Sequence, residues 1–230
     1  MKKIGFNEHY GLQTAVFNGT KTKTRRIEKC LDKLYAAEKE LGEPLEIYQQ
    51  EITREGIILR TNTGILSLHT RYEIDEEVAV AQAYKEIGLD PMRLEPMFLK
   101  TATLIPEITS QPLLGWHKVP LKYHKGYDNK MFTCAALMPH RIIITGLRIE
   151  RLQDISDEDC LKEGIQEYFP YIDRNPNDKV RTFRYFKDGK IRHCISPASK
   201  CFAYLIDDIS GKGTWERNPW VLVYSFKLIK

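Results

Sequence analysis

The sequence predicts an α+β domain, a small and largely antiparallel β-barrel decorated by helices and inserts. Three observations predict it. Helical and strand-like runs follow one another as helix, insert, strand, strand, helix, insert, helix, strand, without the regular strand–helix alternation of a doubly wound sheet. The two most regular apolar runs, 141–150 and 220–229, have strand rather than helix periodicity. Asn62-Thr63-Gly64 and Asp188-Gly189 are turn signals that fold apolar runs into hairpins.

Each element has its own justification. Over 8–18, Leu12, Ala15 and Val16 share one helical face. Over 28–41, Leu31, Leu34, Tyr35, Glu38 and Leu41 recur at three or four, and Gly42 and Pro44 stop the helix. Residues 51–71 read as a hairpin in which Ile57, Ile58 and Leu59 face the returning Ile65, Leu66 and Leu68. Residues 77–84 read as a buried strand through Val78-Ala79-Val80-Ala81. Five prolines between 88 and 128 predict an irregular segment wrapping the surface. In 141–150, Gly146 marks a β-bulge. Ser156 caps a short helix whose first turn holds Asp157, Glu158 and Asp159, where the helix dipole favours acids, and Gly164 ends it. Residues 168–195 form a polar excursion. A helix over 199–209 buries Phe202, Leu205, Ile206 and Ile209, and the last strand alternates Trp220, Leu222, Tyr224, Phe226 and Leu228.

Composition narrows the classes. The chain has 230 residues, 42% hydrophobic, enough for one large domain or two small ones. A net charge of +4 permits an anionic partner without requiring one. The five cysteines are odd in number and none has Cys-x-x-Cys spacing, which argues against a disulfide framework or a structural zinc site. His193 and Cys194 are adjacent, a poor spacing for metal ligands. No motif calls for a cofactor. No apolar run approaches the length of a membrane span and no secretory apolar region follows Met1-Lys2-Lys3, so a cytoplasmic protein with no membrane partner is expected. Ser210-Gly211-Lys212-Gly213-Thr214 is not a phosphate-binding P-loop: Ile206 stands where its first glycine belongs and Gly213 where its hydroxyl belongs. It reads instead as a helix terminator. Trp215 and Trp220 flank Asn218-Pro219; Trp220 opens an alternating strand and reads as a plug for the barrel end rather than a base-stacking platform.

The most informative stretch is Gly19-Thr20-Lys21-Thr22-Lys23-Thr24-Arg25-Arg26. Its last six positions hold four cations, two hydroxyls and no acid, directly after a helix. A run of this kind is ordinarily a solvated face. Read as a loop, it also offers a cradle for a phosphate or a polar base.

The chain resembles the ASCH domains of the PUA-like superfamily, in particular the longer versions encoded by phages and bacterial mobile elements. Three segments carry the likeness: 19–26; 129–141 running into 150–155 and 163–165; and 211–216 with Asn218-Pro219-Trp220 and the final strand. They cover about half of the chain, which then reads as a single domain over 1–230 with insertions at about 30–125 and 168–195. The resemblance implies a small β-barrel with helices beside a cleft, and a role around RNA or modified nucleosides. Gly19, Lys21 and Arg26 match the family's loop motif, and Thr24 stands where its general form has glutamate. At Gly19, Lys21, Thr22, Thr24 and Arg26 the chain is similar to small bacterial amidohydrolases that deacylate N4-acetylcytidine. That likeness implies Lys21 and Thr24 as catalytic, with Glu163 as the distant glutamate, and Thr22, Lys23, Arg25 and Arg26 as binding residues.

The chemistry sets requirements. A threonine hydroxyl becomes a nucleophile only when a base removes its proton. For Lys21 to be that base its pKa must fall from about 10.4 towards about 7–8, a penalty on the ammonium of roughly 4 kcal/mol. Burial and neighbouring cations supply it, whereas a carboxylate beside Lys21 opposes it. Catalysis is therefore best served if Glu163 engages an arginine or the substrate. A purely structural alternative pairs Glu163 with Arg26. Binding alone needs only the four cations, with Tyr84 or Trp116 as candidate stacking partners and the inserts as candidate protein-binding segments.

Overall fold

In the computed structural model, residues 1–88, 125–168, 181–195 and 197–229 are described, and they form an α+β structure with three open, mostly antiparallel sheets. No closed barrel is present among them. The Pro-rich stretch and Trp116 lie largely or wholly outside the described residues. The chain divides into two compact units, Met1–Gly5 with Ala79–Pro139, and Phe6–Val78 with His140–Lys230.

In the first unit, β1 (Lys3–Ile4) pairs in parallel with the end of β6 (Glu77–Val80), Lys3 opposite Ala79 and Ile4 opposite Val80. Ala79, Tyr84 and Met138 form its buried cluster. The Lys3 ammonium donates to the carbonyls of Lys130, Met131 and Thr133, at 2.6–3.2 Å. Tyr84 is not a stacking platform: it is buried, and its hydroxyl accepts from the Cys134 backbone N–H at 2.7 Å.

The second unit contains the longest strands. β7 (Arg141–Arg151) and β2 (Lys23–Arg26) flank β11 (Trp220–Ile229), all antiparallel. The pairing slips where Ser225 faces Gly146 and Phe226 faces Ile144, so the bulge expected at Gly146 falls there. The first five residues of β11 are all buried, because this sheet is covered on both faces; Val221 and Val223 join the alternating large residues in the core. On the face of Thr24 and Tyr224 lie Tyr72, edge-on to Tyr224 at 5.2 Å, and Phe6, 5.5 Å from Phe226. The opposite face meets α3 (Asp157–Lys162) and α4 (Ala198–Ser210).

The remaining elements correct or refine the expectations. The predicted helix over 8–18 is a 3-10 turn, Glu8–Tyr10, then α1 (Leu12–Phe17), because Gly11 takes a left-handed conformation between them. α2 (Asp32–Leu41) ends at left-handed Gly42. The hairpin is a meander of β3 (Ile47–Thr53), β4 (Gly56–Thr61) and β5 (Gly64–His69). β8 (Gln166–Tyr168), β9 (Thr182–Lys187) and β10 (Lys190–Ile195) form a third sheet with β9 in the centre. Asp188 and Gly189 both have positive φ, 50° and 72°, as a two-residue hairpin turn of type I′ requires. α5 (Thr214–Arg217) turns the chain into β11. Trp220 is buried at that start beneath the Arg151 guanidinium, 4.0 Å from the ring centre, and among the described residues its indole N–H has no hydrogen-bond partner. No described helix is long and apolar enough to cross a membrane.

Candidate functional site

The basic run is not a loop throughout. α1 ends at Phe17, left-handed Gly19 follows, the N–H groups of Thr20 and Lys21 both return to the Ala15 carbonyl, and Lys23 to Arg26 then form β2. The reason lies in pairing: Lys23, Thr24, Arg25 and Arg26 sit opposite Ser225, Tyr224, Val223 and Leu222. Strand alternation then divides the run. Lys23 and Arg25 face α3 and α4, while Thr24 and Arg26 share the face of Phe6 and Tyr72.

A buried ion cluster is built on the first of these faces. The Arg25 guanidinium meets three carboxylates, Glu150 of β7 at 2.6 Å, Asp159 of α3 at 3.1 Å and Glu163 at 3.0 Å. Asp159 also takes Lys23 at 2.6 Å and Arg148 at 3.0 Å, and Glu150 takes Arg148 at 2.6 Å. Ser156 caps α3 as expected, accepting from the Asp159 N–H, and so fixes the turn that carries Asp159. Burial would push the Asp159 carboxyl up, but hydrogen bonds from Lys23, Arg25 and Arg148 outweigh it and hold its pKa at about 2.

Lys21 closes the cluster. Its ammonium donates to the Glu163 carboxylate at 2.6 Å and to the Glu163 carbonyl at 2.7 Å, and its side chain is 2% exposed. Two backbone features enforce this meeting. The Thr22 N–H donates to the Lys162 carbonyl at 2.9 Å, tying the start of β2 to the end of α3. Gly164, at φ 106°, packs so tightly that a methyl group there would stand 3.0 Å from Leu12 and 3.8 Å from Lys21. Burial pushes the Lys21 pKa down; Glu163 pulls it up, and Arg26 and Arg25 add to the lowering. The ammonium also lies 5.9 Å from the Phe6 ring, on which the Arg26 guanidinium sits at 5.8 Å.

The predicted residues therefore fall into distinct settings. Lys21, Lys23, Arg25 and Glu163 belong to one network. Glu163 contacts Lys21 and Arg25, and the pairing with Arg26 considered from the sequence is replaced by Arg25, because alternation turns Arg26 to the other face. Thr24 is buried, and among the described residues its hydroxyl makes no hydrogen bond. Thr22 is half-buried at the head of the strand. Sequence reasoning missed Arg148, Glu150 and Asp159 as members of this cluster. The alternation of charge through Arg148, Glu150 and the Ser156-capped acids was the available signal.

All five cysteines are free thiols. Among the described residues no group of three or more His, Cys, Asp or Glu side chains is placed to hold a metal ion. A scan against protein-family models, a search of curated proteins and a search of solved structures each give no match.

Proposed function

We propose that the chain is an ASCH-type domain of the PUA-like kind that binds RNA or a modified nucleoside beside β2. The observation that carries this reading is the Lys21–Glu163–Arg25 cluster, a set of buried charges organised around the one segment that resembles the family's binding motif. Arg25, held by three acids, supports the frame. Thr22 and Lys23 are the groups offered to a ligand, with Arg148, whose side chain is 47% exposed, at the rim, while Arg26 serves the opposite face of β2. The test is titration of single-stranded RNA and of nucleosides into the protein over a range of salt. Each phosphate held should contribute about −0.7 to the log–log salt slope. Absence of affinity at low salt would remove this function.

A second reading is amide hydrolysis on an N4-acetylcytidine-like substrate, favoured by the burial that pushes the Lys21 pKa down, by Arg25, which shares the Glu163 carboxylate, and by the uncommitted Thr24 hydroxyl. Lys21, as the neutral amine that burial favours, takes the Thr24 proton, and Glu163 holds Lys21 in place. The Thr24 oxygen attacks the acyl carbon. The carbon–nitrogen bond breaks as Lys21 returns that proton to the departing amine, and water cleaves the threonine ester to release the acid. Incubation with N4-acetylcytidine and detection of cytidine checks it. Turnover that survives both Lys21→Ala and Thr24→Ala would rule out this route.

A further inference from the structure

We infer that the ligand of the β2 site carries a phosphate, held where Lys23, Arg148 and Lys162 converge on Asp159. The inference deepens the binding reading and rests on it for the nucleoside half of the ligand; the phosphate half stands on the geometry of the cluster. Three elements meet here. Lys23 of β2 and Lys162 at the end of α3 approach one Asp159 oxygen, Oδ1, at 2.6 and 3.9 Å. Arg148 of β7 approaches the other, Oδ2, at 3.0 Å, beside the buried Arg25. The hydrogen bond from the Thr22 N–H to the Lys162 carbonyl keeps α3 against β2 at this point.

The cluster sorts its charges by depth. The side chains of its acids, Glu150, Asp159 and Glu163, are 11%, 8% and 6% exposed, whereas those of Arg148, Lys162 and Lys23 are 47%, 45% and 18% exposed. An approaching ion therefore meets cations first, with the carboxylates beneath them. The signs do not balance either. Among the described residues five cations, Lys21, Lys23, Arg25, Arg148 and Lys162, join the three acids. With Lys21 counted as the neutral amine of the hydrolytic reading, one positive charge is still left over. Like charges gathered at a single carboxylate repel one another, and an anion bound above them offsets that repulsion.

The spare donors select the anion. Arg148 makes both of its ion pairs through Nη2, and among the described residues its Nε and Nη1 make no hydrogen bond. The Lys162 ammonium, 3.9 Å from Asp159, is beyond hydrogen-bond distance of it. Lys23 spends one of its three protons on Asp159. A phosphate presents oxygens on several sides and takes donors from all three elements at once. A carboxylate has two oxygens in one plane; it would satisfy Arg148 and leave the lysines over. A neutral nucleoside would leave the excess charge unanswered.

The experiment is isothermal titration of the full chain at low salt with three probes: cytidine, cytidine 5′-monophosphate and inorganic phosphate. The monophosphate should bind about tenfold or more tightly than cytidine, and inorganic phosphate should compete with it. Arg148→Gln with Lys162→Gln should close that gap. Lys39→Gln with Lys212→Gln, which removes the same charge at two exposed lysines outside the cluster, should leave it open. Circular dichroism checks folding, and Lys162→Gln alone, which removes only the 3.9 Å contact, should narrow the gap if the double variant does not fold. Inorganic phosphate that binds where neither cytidine nor single-stranded RNA does would keep the phosphate site and remove the nucleoside reading of β2. Equal affinity for cytidine and its monophosphate would overturn the inference and spare that reading. No binding of inorganic phosphate, a gap that the Arg148 and Lys162 substitutions leave unchanged, or one that the Lys39 and Lys212 substitutions close equally, would also overturn it.

Discussion

Lys21 and Glu163 have side chains only 2% and 6% exposed, so neither can lose its partner and turn to water instead. Removing one partner of such a pair commonly costs about 3–5 kcal/mol, because the other charge stays buried. Lys21→Met should therefore lower the urea midpoint sharply, and Lys21→Met with Glu163→Gln should recover much of the loss. Recovery is expected because the amide still offers Arg25 an acceptor. An unchanged midpoint in the single variant would show that the ion pair is not enclosed. Asp159 gives a matching prediction in pH. Its folded pKa, about 2, lies below the unfolded value near 3.8, so its contribution is complete above about pH 4 and is lost as pH falls towards 2. The shift corresponds to roughly 2 kcal/mol. Asp159→Asn should flatten the fall in stability across that acid window, which denaturation at a series of pH values will read.

At the scale of elements, the end of α3 is the joint on which the site depends. Gly164→Ala would force a side chain into a left-handed conformation against Leu12, at a cost of about 1–3 kcal/mol visible in thermal unfolding. A neutral result would mean that the α3–β2 junction is looser than its hydrogen bond to Thr22 indicates. Elements with a strong local signal were legible in the sequence: β7 and β11 from their apolar runs, α4 from its apolar face, and the 188–189 turn from Asp-Gly. β3 was not, because Ile-Tyr-Gln-Gln-Glu-Ile-Thr has no alternation. Its position is held by something periodicity cannot register. The Gln50 amide donates to the Ile149 carbonyl at 2.6 Å and accepts from the Ile149 N–H at 2.9 Å, like a neighbouring strand. β2 was misread for a related reason: four charged or hydroxyl residues look like solvated loop until β11 supplies the partner and α3 the acids.

At the scale of the molecule, the order of elements was enough to place the chain in the α+β class. The sequence offered no counterpart to the division after Gly5, Val78 and Pro139, since no composition shift marks it. The candidate site was half legible. Its cations are contiguous, but their acids come from positions 150, 159 and 163, far along the chain. That separation has a consequence for time as well as for energy. The three Arg25 contacts span 125, 134 and 138 residues of sequence, so each closes a long loop. Contacts of this kind are expected to form after the local hairpins and helices, on the native side of the folding barrier. Arg25→Met should then leave the refolding rate nearly unchanged and speed unfolding, a change confined to one arm of the denaturant–rate plot. Equal effects on both arms would place Arg25 in the nucleus instead. On this account the guanidinium works as a latch that sets how long the folded chain persists rather than how quickly it is reached.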